Sequence, residues 1–179
     1  KYGTILGNGN YYSEIKNPNK RFFTMLGTLV GGRICVARAG LGGAKFALTV
    51  AIKHALKRRQ FNDSVKIQED LLMDYPSHQL RLTPLVASAY VYHITLDKMM
   101  KVYCDESQPD KRQVETQVAG LKSIITWYAN NTIQECREAC GGKGYLLENR
   151  IADLKSDVDI FTTFEGDNNV LLQLAAKGV

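Results

Sequence analysis

One carboxylate in this chain stands where acid–base chemistry is readily built. In Thr162-Thr163-Phe164-Glu165-Gly166-Asp167-Asn168-Asn169, Glu165 lies between an aromatic residue and a glycine, directly ahead of a helix-starting Asp-Asn. Glycine lets a bulky ligand come close to the backbone. A carboxylate beside apolar surface tends to have its pKa raised, as a base that removes a weakly acidic proton requires. Phe161 and Phe164 supply apolar neighbours in sequence. The helix N-terminus that follows favours anionic ligands through its unpaired N–H groups. The same octapeptide equally fits a plain helix N-cap.

Three further groups carry the same double reading. Lys57-Arg58-Arg59-Gln60-Phe61 closes an apolar periodic stretch. Cations stabilise a helix C-terminus without any function, yet guanidinium geometry also suits the paired oxygens of a pyrophosphate. Cys140-Gly141-Gly142-Lys143-Gly144-Tyr145 is a helix stop, or bare backbone for a flat or phosphorylated ligand. It is not a Walker loop, because the glycine spacing differs and no Lys-Ser/Thr follows. Arg33, in Gly31-Gly32-Arg33, interrupts an apolar stripe; it either snorkels to the surface or meets an anionic or carbonyl-bearing substrate.

Composition narrows the classes. The chain has 179 residues and a formal charge of +5, with basic residues scattered among acidic ones, which argues against nucleic acid. No apolar run approaches the ~20 residues of a membrane span. Cys136 and Cys140 share a helical face, but no histidine is near in sequence to complete a zinc set, so buried, reduced cysteines are expected and no metal. The chain starts at Lys1 rather than Met, with no signal-peptide pattern, which fits a piece of a longer protein.

The elements that must position these groups are mostly helical. A strand-like run at Lys1–Leu6 and turn residues at Gly7–Asn10 read as the end of some other element, and Asn17-Pro18-Asn19-Lys20 as a turn before a helix. From Phe22 to Arg59, Val30, Ile34, Ala37, Leu41, Ala44, Leu48, Ala51 and Ala55 recur at helical spacing. Unbroken, that helix spans about 50–57 Å at 1.5 Å per residue. Its many glycines predict close approach of a backbone or ligand, with a break at Gly31-Gly32 as the alternative. A polar connection from Phe61 to Tyr75 precedes a second helix striped by Leu85, Ala89, Tyr92, Leu96, Met99 and Tyr103, with Pro84 kinking its first turns. A turn is expected at Glu106–Asp110. A third helix carries Val114, Val118, Leu121, Ile125 and Tyr128 to about Ala139, and stops at the glycines. A shorter helix is expected over Leu147–Leu154, and a last one from Asp167 or Asn168. Three long helices plus a terminal one predict an all-α, antiparallel up-down four-helix bundle.

The motifs also occur in a telling order. Gly31-Gly32-Arg33, Arg58-Arg59-Gln60-Phe61, Asp74-Tyr75-Pro76-Ser77-His78-Gln79, Ala139-Cys140-Gly141-Gly142-Lys143-Gly144-Tyr145 and Thr163-Phe164-Glu165-Gly166-Asp167-Asn168 together resemble an acyl-CoA oxidase, of the acyl-CoA dehydrogenase fold superfamily. The resemblance implies that residues 1–20 end a middle β-domain and linker, and that residues 21–179 form the helical bundle domain carrying the catalytic glutamate. It implies FAD shared across a homodimer interface, acyl-CoA as substrate and molecular oxygen as acceptor. A peroxisomal setting follows for a eukaryotic source and a cytoplasmic one for a bacterial source.

By position, the resemblance makes Glu165 the base, with Gly166 against the acyl-CoA and Arg33 on the substrate side. Arg58, Phe61, Gln79 and the Gly141-Gly142 turn match contacts to the flavin of the partner subunit. Asp167 and Asn169 match contacts to the cofactor of the same subunit. The chain departs from the dehydrogenase pattern at Glu138, where those enzymes carry Gln, and at Asn62, where they carry Gly. The link from Phe61 to Gln79 is longer than theirs, and Lys143 is unusual within the glycine turn. An acyl-CoA dehydrogenase that reduces a flavoprotein is the near alternative. A non-catalytic bundle that binds partners through its glycine-lined face is the distant one.

Overall fold

The computed structural model describes residues 3–62, 67–105, 107 and 111–178. Lys1, Tyr2 and most of the turn expected at Glu106–Asp110 lie outside the described residues. What is described of the first run is a small antiparallel hairpin, β1 (Thr4–Ile5) against β2 (Tyr11–Tyr12), paired Thr4 with Tyr12 and Ile5 with Tyr11. The helices are α1 (Pro18–Leu26), α2 (Leu29–Ala55), α3 (Pro76–Cys104), α4 (Lys111–Ala139), α5 (Ile151–Asp159) and α6 (Asn168–Gly178).

α1 begins where Asn17 accepts hydrogen bonds from the amides of Asn19 and Lys20, with Pro18 at the first helical position. The break that divides the first long helix falls at Gly27-Thr28, not at Gly31-Gly32, and helix gives way to turn at Leu56 rather than Arg59. Gly31 and Gly32 stay helical because packing against neighbours compensates for their weak propensity. A Cβ on Gly31 would lie 2.8 Å from the Tyr103 hydroxyl. All eight residues of the expected stripe, from Val30 to Ala55, are buried. α3 runs on through Pro84.

Helix directions follow from side-chain neighbours. Arg38 meets Asp97 while Gly31 meets Tyr103, and Arg81 meets Glu135 while Tyr128 meets Leu85, so α3 is antiparallel to both α2 and α4. Gly40 lies against Ala129 and Gly43 against Ile133, so α2 and α4 run parallel and in close contact. The fourth bundle position is split. Asn130 donates to the Val158 carbonyl, placing α5 beside the C-terminal half of α4, and Gly120 faces Ala175, placing α6 beside its N-terminal half. The result is an up-down-up-down bundle whose last member is broken at residues 160–167, the segment that holds Glu165.

Other expectations change. The helix foreseen over Leu147–Leu154 begins only at Ile151, because short 3-10 turns at Gly141–Tyr145 and Leu147–Asn149 occupy the approach to it. Pro18–Ala55 is, by length and composition, apolar enough to cross a membrane, contrary to the reading that no run approaches that length. Its apolarity has a packing cause: half of that window is buried, since α2 contacts α3, α4 and α5. Cys136 and Cys140 are buried as expected, but Cys35 and Cys104 are exposed, lying off the packed faces of α2 and α3.

Candidate active site

Glu165 sits at the break between α5 and α6, half-buried, in the left-handed region at φ 57°, and Gly166 follows at φ 111°. For glutamate that conformation costs on the order of 1 kcal/mol and persists only where surroundings enforce it. The surroundings are specific. Its carboxylate rests against the backbone of Gly32 on α2, where a Cβ would come within 2.8 Å of Cδ and both oxygens. Oε2 is buried without a hydrogen-bond partner among the described residues. In the same broken segment Phe161 and Phe164 stack on each other with centroids 5.3 Å apart, and Phe161 faces Gly40 farther along α2. A dry carboxylate oxygen with no donor is what a base awaiting a substrate proton looks like.

Arg33 does not snorkel. It is buried, 8 % exposed, with Nε donating to the Glu165 carbonyl at 3.2 Å and Nη1 3.7 Å from Glu115. Nη1 itself has no hydrogen-bond partner, leaving a buried cationic donor on the residue that follows Gly32. Asp167 caps α6: its Oδ1 accepts from the amides of Asn169 at 2.9 Å and Val170 at 3.3 Å. Both readings of the octapeptide therefore apply to different residues, Asp167 as cap and Glu165 as free carboxylate. The side chain of Asn169 is exposed at the same helix end.

Residues that sequence reasoning missed complete this corner. Lys122 on α4 donates from Nζ to the Gly166 carbonyl at 2.7 Å and to Asn168 Oδ1 at 2.9 Å. Asn168 is buried and donates to the Ser123 carbonyl and to Thr126 Oγ1. The signal was present: Lys122 is four residues beyond Val118 and four before Thr126, squarely on the buried face of its helix.

The other expected residues gather elsewhere. His54 in the last turn of α2, Arg58 and Gln60 just after it, His78 and Arg81 on α3, and the Glu138–Lys143 end of α4 line a cleft of about 660 Å3. It lies about 35 Å along α2 from Gly32, at 1.5 Å per residue. Gly141, at φ 59°, ends α4, and a side chain on Gly141 or Gly142 would meet nothing within 4 Å, so their backbone is open to a ligand. His54 has its pKa lowered by burial first, then by Lys143, Arg58 and His78; that of His78 is lowered by burial and then by Arg81. The field in the cleft is positive, and with bare glycine backbone it fits the phosphate-bearing part of a dinucleotide. Phe61, 69 % exposed and at φ 60°, and Gln79, bonded to the Met73 carbonyl, do not line the cleft, although their neighbours Gln60 and His78 do. Glu138 is engaged by Arg81, which also binds Glu135 at 2.6 Å; the departure from glutamine serves an α3–α4 clamp.

The broken four-helix bundle is an architecture found in proteins of the acyl-CoA dehydrogenase fold. An acyl-CoA dehydrogenase from Geobacillus kaustophilus shares it at a TM-score of 0.77, over 87 % of this chain and 38 % of that one, at 20 % identity. The chain belongs to the acyl-CoA oxidase family: the family described as acyl-CoA oxidase, C-alpha1 domain, matches residues 26–179. A putative peroxisomal acyl-coenzyme A oxidase 3.2 of Arabidopsis thaliana is 42 % identical over 98 % of this chain and 26 % of that protein. The solved acyl-CoA oxidase 1 of the same plant superposes with a TM-score of 0.86 at 28 % identity, covering 99 % of this chain and 28 % of that one. An acyl-CoA oxidase-2 of Caenorhabditis elegans, solved with FAD, ascaroside-CoA and ATP, gives 0.76 at 25 % identity, covering 99 % and 27 %. The chain spans about a quarter of the length of the curated relatives it matches.

Proposed function

We propose that the protein containing this chain is an FAD-dependent acyl-CoA oxidase, converting acyl-CoA to trans-2-enoyl-CoA and oxygen to hydrogen peroxide. The observation that carries the reading is the buried, unpartnered Oε2 of Glu165 against Gly32. Glu165 takes the proton from the carbon next to the thioester carbonyl, on the side left open by Gly32 and Gly166. Arg33 holds the Glu165 carbonyl and leaves a buried cationic N–H to stabilise negative charge as it develops. The backbone of Gly32 shields one side of the carboxylate, and Asp167 starts α6 immediately behind it. When bound, FAD would accept the hydride from the β carbon and deliver two electrons to oxygen.

The remaining assignments follow the same reading. Arg58, Gly141 and Gly142 would hold the pyrophosphate side of one flavin in the cleft, with Phe61 and Gln79 at its margin. Asp167 and Asn169 would approach another flavin at the Glu165 end. Two half-sites about 35 Å apart along one helix suit a homodimer in which each flavin is shared. Residues 1–20 would then end a preceding β-domain. A peroxisomal location follows the relatives named as peroxisomal.

Glu165→Gln in the full-length protein tests the reading. Peroxide release with acyl-CoA should fall about 10²–10⁴-fold, the range for a positioned base. Retained release overturns the site. If the parent protein desaturates acyl-CoA but releases almost no peroxide, the dehydrogenase reading replaces the oxidase one.

A further inference from the structure

Lys122 has no exposed surface, at 0 %, a state lysine almost never reaches unless its charge is used. Its two acceptors, the Gly166 carbonyl and Asn168 Oδ1, are neutral, and among the described residues no carboxylate lies within ion-pair distance of Nζ. Burial pushes its pKa down to about 8, with Asp167 and Glu165 acting against that shift and Arg33 adding to it. An unbranched apolar side chain would fill the same space without the desolvation cost. The charge is therefore spent on the segment it binds.

That segment is the turn immediately after Glu165. Ser123 Oγ donates to the Asn168 carbonyl at 3.2 Å, Asn168 Nδ2 donates to Thr126 Oγ1 at 2.9 Å, and Lys122 spans from Asn168 back to Gly166. Arg33 grips the carbonyl of Glu165 from the opposite helix. Between these two cationic holds lie two consecutive residues at positive φ, one of them the glutamate. A free chain would release that conformation, and the carboxylate would swing from Gly32.

We propose that Lys122 is the positioning residue for Glu165: its ammonium pins the Gly166 carbonyl and so keeps the left-handed turn that aims the carboxylate at Gly32. Lys122 touches no reacting atom and acts only through Glu165. The proposal rests on Glu165 being the base.

The test uses full-length, flavin-loaded protein carrying Lys122→Met, which keeps the stem and removes the ammonium. The kcat should fall about 10–100-fold, as for a misplacement near 1 Å. KM should stay within about two-fold, because binding common to ground and transition states is untouched. Flavin content should equal the parent's, and the amides of residues 164–168 should exchange with deuterium faster. Parental kcat with parental exchange overturns the proposal. So does a loss of activity that merely tracks loss of flavin while exchange at residues 164–168 is unchanged. Glu165→Gln is measured alongside: retained turnover there sinks the base assignment instead. Should Lys122→Met fail to fold, Lys122→Gln keeps a neutral polar head in the same pocket while removing the ammonium, and the same kcat and exchange criteria apply.

Discussion

Gly32 and Glu165 share one small volume: a Cβ on Gly32 would lie 2.8 Å from Cδ and both carboxylate oxygens of Glu165. The two residues are on different elements, one within α2 and the other at the break before α6. The absent side chain of the first is the seat of the second. Because the obstructing atoms end a flexible side chain, adding a methyl group at position 32 would move the carboxylate rather than the helix.

Gly32→Ala should therefore separate activity from stability. Alanine in a helix interior gains up to about 1 kcal/mol over glycine, so the melting temperature should hold or rise. Peroxide formation by the full-length protein should fall about 10–100-fold, since the displaced carboxylate loses its line to the substrate. Unchanged turnover would show that the contact does not set the carboxylate's position.

Arg58→Ala should cost cofactor rather than fold. Arg58 is exposed on the cleft, and among the described residues its guanidinium has no ion-pair partner, so stability should change by less than about 0.5 kcal/mol. A lost charge-assisted bond is worth about 1.5–3 kcal/mol, so FAD affinity should drop about ten-fold or more. Titration of the apoprotein with FAD, followed by flavin fluorescence, measures it. Parental affinity would remove Arg58 from the cofactor site.

Lys122 should leave a mark on the pH dependence of stability. Its pKa in the fold is about 8, below the ordinary 10.5, so between those values the unfolded chain binds more protons than the folded one. Stability contributed at this position therefore rises from pH 8 to pH 10.5, and is lost again as pH falls back through that window. Urea denaturation of parent and Lys122→Met across that range should show the parent gaining on the variant as pH rises. A constant difference between the two would refute the shift.

The four thiols should divide into two pairs. Cys35 and Cys104 are exposed, whereas Cys136 and Cys140 are buried. Burial pushes the Cys136 thiol up to about 12, with Cys140 and Glu135 adding to it, and raises that of Cys140 as well. Thiolate is the reactive form, so iodoacetamide at neutral pH should modify Cys35 and Cys104 and spare the other two until denaturant is added. Mass spectrometry of the digested protein reads the outcome. The Cys136 shift also means that stability it contributes is present below the ordinary thiol value of 9 and lost as pH climbs from 9 through 12.

Much of the bundle was legible because apolar periodicity is a local signal. The stripe from Val30 to Ala55 is buried throughout, and α6 starts within a residue of where Asp167-Asn168 placed it. The local signal stops where tertiary contacts decide. At Gly31-Gly32 the expected close approach is met by Tyr103 and Glu165, and that packing keeps the pair helical where propensity alone allowed a break. For Arg33 the local pattern left a surface and an inward placement open, and Glu115 and the Glu165 carbonyl decide it by holding the side chain inside. The start of α5 was misplaced because 3-10 turns occupy residues whose pattern alone read as helix.

The chemistry-bearing residue types, their order, and the helices that carry them are written in the one-dimensional pattern, since side-chain spacing along a helix sets which face each residue takes. Which of those residues meet was decided only by folding. Gly32 and Glu165 are 133 positions apart in the numbering, and Lys122 reaches the turn after Glu165 only because α4 is packed against α6. A buried ammonium, an unpartnered carboxylate oxygen and a cationic cleft are properties of desolvation and of long-range neighbours. No local stretch of residues contains them until the bundle has closed.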